Sequence, residues 1–176
     1  MKIIGFVYND GAPSMVLKGD SCMLNGRKPM FMPDDATELG VTACVILRVS
    51  RLGKGIAPRF ASRYYDAVAP GADFTAVNLL REAKAVGRPW TEAIDFDYSL
   101  AIGEWINNDE RSATELLNDE LIISPEEAIA QASRLMTIRQ GDLIYIQTNQ
   151  APRIVQKEEI IRVEIAGEEK LYCKIK

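Results

Sequence analysis

The chain contains no histidine. A Ser–His–Asp triad, a Cys–His pair and a histidine-ligated zinc are therefore excluded. Any general acid or base must be a carboxylate, lysine, tyrosine or cysteine. Cysteine is scarce as well: Cys22, Cys44 and Cys173 are odd in number, far apart, and form no C-x-x-C spacing. Neither a zinc site nor a disulfide framework follows, and a reducing cytoplasm is the expected setting. No apolar run approaches the roughly 20 residues that cross a bilayer. Low-complexity tracts and internal repeats are also missing. Basic residues are in the minority, 21 Lys and Arg against 25 Asp and Glu, for a net charge of -4. A nucleic-acid surface needs a basic stripe, so neither nucleic acid nor membrane is expected as a partner.

What is present is ordinary globular composition: 176 residues, 47% hydrophobic and 26% charged, enough for one domain spanning 1–176 with a real core. The opening Met1–Tyr8 reads as a first strand and not as a signal peptide. Val41–Val49 (VTACVILRV) is a nearly continuous, β-branched apolar run and reads as a buried strand. Leu143–Gln147 follows the turn pair Gly141-Asp142 and reads the same way. Glu159–Ile165 and Lys170–Ile175 alternate on either side of Gly167, which predicts a C-terminal hairpin. Three helices are expected. Pro58–Tyr65 has aromatic and apolar residues at helical spacing. Phe74–Ala85 puts Ala76, Leu79, Leu80 and Ala83 on one side, with Asp73 as its cap. Ser124-Pro125-Glu126-Glu127 is a capping box with proline at the first helical position. It opens a helix to about Met136 with Ile129, Ala132 and Leu135 facing inward.

Several landmarks fall in order along the chain: Arg51-Leu52-Gly53-Lys54, Tyr64-Tyr65-Asp66, Asp73-Phe74-Thr75-Ala76, Gly87-Arg88-Pro89-Trp90 and Ile102-Gly103-Glu104-Trp105. From about Lys18 to Val163 the chain resembles the fumarylacetoacetate hydrolase family, specifically its C-terminal catalytic domain. The resemblance implies a mostly β (α+β) fold, a mixed, rolled β-sandwich with about three short helices, usually a homodimer. It also implies Mg²⁺ or Mn²⁺ held by three acids, and hydrolysis, decarboxylation or isomerisation of acylpyruvate-like oxo-acids. In such a site two glutamates spaced by one residue share a strand face. The metal takes oxygen ligands in near-octahedral geometry and polarises the substrate carbonyl.

Carried over position by position, the resemblance puts the paired glutamates at Thr42 and Cys44 and the third acid at Asp73. The family's arginine, aspartate and glutamine on the following helix fall on Val77, Asn78 and Leu80, and its active-site lysine on Ile94. Its Thr-Gly-Thr-Pro substrate loop falls on Ile146-Gln147-Thr148-Asn149, where Thr148 alone matches. Lys18-Gly19-Asp20-Ser21 matches the family's Lys-Pro-Asp-Ser, and the N-terminal lid before it reads as shortened. One acid of three survives, and the changes run from ionic to apolar or small. The expectation is a diverged family member with a degenerate metal site (Asp73 alone), no catalytic residue, no cofactor, and a binding or structural role. The substrate-pocket candidates are Lys18, Gln147 and Thr148, which would suit a small oxo-acid ligand. The alternative expectation is an active Mg²⁺- or Mn²⁺-dependent enzyme in which Glu38, Asp95 or Asp97 joins Asp73.

Overall fold

The computed structural model describes residues 1–108 and 120–176. In chain order the strands are β1 (Ile3–Asn9), β2 (Ala12–Lys18), β3 (Met23–Asn25), β4 (Leu39–Val49), β5 (Tyr65–Ala76), β6 (Leu100–Ile102), β7 (Ile106–Asn107), β8 (Leu143–Gln147), β9 (Arg153–Val155), β10 (Ile160–Ile165) and β11 (Glu168–Lys174). The helices are α1 (Val77–Val86), α2 (Thr91–Ile94) and α3 (Pro125–Leu135), with 3₁₀ turns at Asp20–Cys22 and Pro58–Arg63. The main sheet runs β2-β1-β8-β4-β5-β6-β3, with β7 on β5 and β9 on β4, and β10-β11 form a separate pair. β1 pairs β8 and β3 pairs β6 in parallel; the remaining ladders are antiparallel. This is the mixed, mostly β fold that the resemblance implied. No helix among the described residues is long and apolar enough to cross a membrane.

Alternation along β4 sorts the core. Leu39 and Val41 join Phe74, Ile161 and Leu171 under the β10-β11 hairpin. Val45 and Leu47, on the same face, join Ile129 and Ala132 of α3. Cys44 and Ile46 point the opposite way, with Ile3, Cys22, Leu100 and Tyr145. Period-two alternation makes each strand supply both faces, which is why β4 reads as continuously apolar.

The predicted strands and the C-terminal hairpin are present, and so is the Ser124 box: its hydroxyl accepts from the Glu127 N–H. Three expectations need correction. Pro58–Arg63 is 3₁₀ rather than α. Leu135 does not face inward but is 65% exposed, because it is the last residue of α3, beyond the buried Ala132 and Ser133. Asp73 is not a cap. β5 stays paired with β4 as far as Ala76 opposite Leu39, so α1 begins only at Val77, with no side-chain cap. Strand pairing over the whole length of β4 overrides the local helical pattern of Phe74–Ala76.

β1 runs beside β8 with Gly5 opposite Tyr145. A side chain at Gly5 would enter the Tyr145 ring, so glycine is required for the close approach. Gly5→Ala is expected to lower stability by about 1–3 kcal/mol through overpacking, read as a lower urea midpoint at unchanged m.

Candidate functional site

β5, an interior strand of the main sheet, carries Asp73 as a buried residue. β4 places Thr42 directly opposite it and Cys44 opposite Gln147 of β8. β6 sets Leu100 on its other side. Lys18, the last residue of β2, reaches in from the sheet edge. Its Nζ lies 2.6 Å from Asp73 Oδ1, in a pair whose side chains are 0% and 3% exposed. The ammonium also donates to the Ser99 hydroxyl (3.1 Å) and carbonyl (3.3 Å), and it lies 5.6 Å from the centre of the Tyr145 ring. Ser99 in turn donates to the carbonyl of Ile94. The second carboxylate oxygen is taken too: Gln147 Nε2 donates to Asp73 Oδ2 at 2.7 Å. Gln147 Oε1 accepts from the Tyr8 N–H at 2.9 Å. The amide is thus held in one orientation, between β1 and Asp73.

The neighbours of this pair are neutral. Burial, reinforced by the charge of Asp73, holds the Cys44 thiol well above its ordinary range. Burial also pushes Cys22 up to about 12, against the opposing pull of Lys18. The Tyr145 phenol is raised by the same two causes that act on Cys44. Among the described residues the Thr42 hydroxyl beside Asp73 is buried without a hydrogen-bond partner, as is that of Thr148. Each such group costs about 1–3 kcal/mol.

The structure brings three of the anticipated residues together and separates the others. Lys18, Asp73 and Gln147 converge. Thr148 does not: it follows Gln147 by one residue and lines a different cavity of about 240 Å³ beside Ile161 and Arg162. Glu38 is paired with Arg81 at the surface, and this pairing holds its carboxyl below the usual range. Asp95 accepts the Gly19 N–H with both oxygens at 3.0 Å. Asp97 is exposed. Among the described residues no three Asp, Glu, Cys or His side chains are grouped to hold a metal. Asn78, where the family's aspartate falls, accepts the N–H groups of Thr37 and Glu38 and so pins the loop before β4.

A cleft of about 50 Å³ remains beside Asp73, lined by Leu80, Ile94, Trp90, Gln147 and Lys84. The β1-β2 turn approaches it. Lys84 Nζ bonds Asn9 Oδ1 at 2.6 Å and Asp10 Oδ1 at 3.3 Å, and lies 5.1 Å from the Trp90 ring centre. Sequence reasoning missed Tyr145 and Ser99. A tyrosine two residues before a glutamine, in a strand otherwise apolar, was a usable signal, since both side chains must point to one face. Ser99, in the loop before β6, carried none.

Residues 6–176 match the family model described as fumarylacetoacetate (FAA) hydrolase C-terminal. The chain is 23% identical over 179 residues to the mouse (Mus musculus) protein named oxaloacetate tautomerase FAHD1, mitochondrial, covering 93% of this chain and 81% of that one. Among solved structures, fumarylpyruvate hydrolase from Pseudomonas aeruginosa in complex with Mn²⁺ and pyruvate superposes with a TM-score of 0.87 at 17% identity, over 99% of this chain and 89% of that one. The 2-hydroxyhepta-2,4-diene-1,7-dioate isomerase from Mycobacterium marinum gives 0.79 at 19% identity, over 99% and 73%.

The buried pair yields a direct test. Lys18→Met leaves an uncompensated carboxylate in the core and is expected to cost about 3–5 kcal/mol. Lys18→Met combined with Asp73→Leu removes both charges and should recover most of that loss. Chemical denaturation of the two single variants and the double variant measures the coupling; additive losses would count against the pair.

Proposed function

This chain belongs to the fumarylacetoacetate hydrolase family, and we propose that it is a diverged member that has given up the family's metal-dependent chemistry for a binding or structural role. One observation carries the reading: both carboxylate oxygens of Asp73 are engaged, one by the Lys18 ammonium and the other by the Gln147 amide. The donors present do not fit a hard dication. Mg²⁺ requires several oxygen ligands near 2.1 Å and gives up water reluctantly. Beside Asp73 stand a neutral hydroxyl at Thr42 and a protonated, soft thiol at Cys44. A dication on Asp73 would compete with the Lys18 ammonium, which already holds Oδ1 at 2.6 Å, and the two positive charges would repel. Lys18 neutralises Asp73, so the pair is electrically balanced without a metal.

A second reading, an active Mg²⁺- or Mn²⁺-dependent hydrolase, decarboxylase or isomerase of acylpyruvate-like oxo-acids, is favoured by the hydrolase, isomerase and tautomerase activities of similar proteins. It requires Lys18 and Gln147 to release Asp73, and Glu38, Asp95 or Asp97 to leave their present surroundings. The family's usual homodimer and a cytoplasmic location are part of both readings.

Metal titration with a thermal-melt readout separates the two. A metal at about 100 times its Kd stabilises the native state by about 2.7 kcal/mol, so a sub-millimolar site would be visible. The expected result is no saturable rise in Tm with Mg²⁺ or Mn²⁺, together with no turnover of oxaloacetate or acylpyruvates. A saturable rise, with turnover that disappears in Asp73→Ala, establishes the second reading.

A further inference from the structure

The chain is acidic, yet one region of its surface is strongly basic. Between Ser50 and Tyr65 lie Arg51, Lys54, Arg59 and Arg63, with no Asp or Glu among them. All four are exposed. Outside this stretch Arg27, Arg48, Arg81, Arg153 and Arg162 each have a carboxylate partner, whereas Arg88, Arg134 and Arg139 form no ion pair among the described residues. The four cations of the stretch form none among the described residues either. Instead, the guanidinium groups of Arg59 and Arg63 lie 4.8 and 5.2 Å from the centre of the Phe60 ring, an arrangement that holds two cations over one aromatic ring.

The backbone ties this loop to the end of α3. The Gly55 N–H donates to the Ser133 carbonyl at 2.8 Å and the Ile56 N–H to the Ser133 hydroxyl at 2.9 Å. Arg134 and Leu135 follow immediately. A groove of about 340 Å³ runs between the two segments, lined by Ile56, Pro58, Gln131 and Arg134. Among the described residues the one acid lining it, Glu127, belongs to the N-terminal turn of α3, where it is engaged with Ser124. Exposed apolar side chains accompany the cations: Leu52 is 70% exposed, Leu135 65% and Phe60 39%. Cations with no counter-charge beside exposed apolar surface make a two-component surface that water alone does not require.

We propose that this surface docks an acidic polypeptide segment carrying spaced apolar side chains, supplied by another protein. The groove and the exposed Leu52, Phe60 and Leu135 would take the apolar side chains, and the five cations would take the carboxylates. Charge complementarity favours this occupant over the others. A small anion is bound by converging donors, whereas these cations are spread along a loop and a helix end. A long polyanion such as duplex DNA would meet the repulsion of a chain with net charge -4. A second copy placed around a two-fold axis would bring like patches together, setting cation against cation. The proposal is independent of the metal question, since no residue of the patch touches Asp73.

Fluorescence anisotropy with a labelled acidic peptide bearing spaced leucines provides the test. Its comparison arms are a polyglutamate of equal length, duplex DNA and inorganic phosphate. Saturable binding of the leucine-bearing peptide is expected, tighter than that of polyglutamate and weakened by salt as screening requires. The Arg59→Glu, Arg63→Glu double variant should reduce affinity about tenfold or more, with Tm unchanged because both positions are exposed. Phe60→Ala should weaken peptide binding in the same direction. Absence of saturable binding, binding that ignores the double variant, or tighter binding of DNA or phosphate would overturn the proposal. Light scattering that shows self-association abolished by the double variant would overturn it as well, by assigning the patch to a second copy.

Discussion

A carboxylate buried in the middle of a sheet must be neutralised, and much of this structure serves that requirement at Asp73. An isolated buried ion costs several kcal/mol even after relaxation. Lys18 supplies the opposite charge from β2, at the sheet edge. Gln147 supplies a hydrogen bond from β8 and is itself fixed by the backbone of β1. Three strands that are not consecutive in space, β2, β8 and β5, are therefore joined through a single side chain. Ser99, before β6, completes the ammonium's coordination. The pair acts as a cross-brace of the sheet, and the edge hairpin β1-β2 is anchored by it as well as by its ladder.

The same geometry explains why the neighbouring positions tolerate neutral groups. With one negative and one positive charge, the site is balanced by protein alone. A glutamate at Thr42 or Cys44 would add a negative charge beside Asp73 with no cation left to meet it. Gln147 matters particularly because the family's loop has glycine at this position. A side chain there fills the space beside the carboxylate with an amide donor. The apolar residues at Leu80 and Ile94 then line what is left of the cleft, and Lys84 ties the β1-β2 turn to α1 beside it. The result is a small pocket beside a satisfied ion pair. The Thr42 hydroxyl, unsatisfied among the described residues, is the residual cost of that arrangement.

Much of the frame was legible in the residues. β4 and β8 declare themselves as apolar β-branched runs, the β10-β11 hairpin by alternation around Gly167, and α3 by its capping box. β5 does not. Its sequence, YDAVAPGADFTA, contains proline, glycine and four alanines, residues that do not favour strands. It is a strand because β4 pairs with it along its whole length. Misplacing β5 is what turned Asp73 from a sheet residue into a helix cap in the sequence reading. At the site, the resemblance singled out Asp73, Lys18 and Gln147, which the fold brings together. It could not foresee that they bond to one another, because their separations of 55 and 74 residues leave no local trace of contact. Thr148 shows the limit from the other side: adjacent to Gln147 in sequence, it is carried into another cavity by strand alternation.

Leu135 was wrong for a different reason, and the difference is informative. Tertiary pairing overruled the local pattern at Phe74–Ala76, and the outcome was burial. At Leu135 the apolar spacing simply continues past the end of the core, and the outcome is an apolar side chain in water beside Arg134. Nothing in the fold's stability requires a leucine there, since α3 is already anchored by Ala128, Ile129 and Ala132. The same is true of Leu52, which stands in the turn where Gly53 packs on Tyr64 and Ile56. Internal packing accounts for Gly53 and Ile56 but not for the side chains that flank them. Where a residue's type is explained neither by the core nor by solubility, contact with another molecule is the remaining physical reason for it.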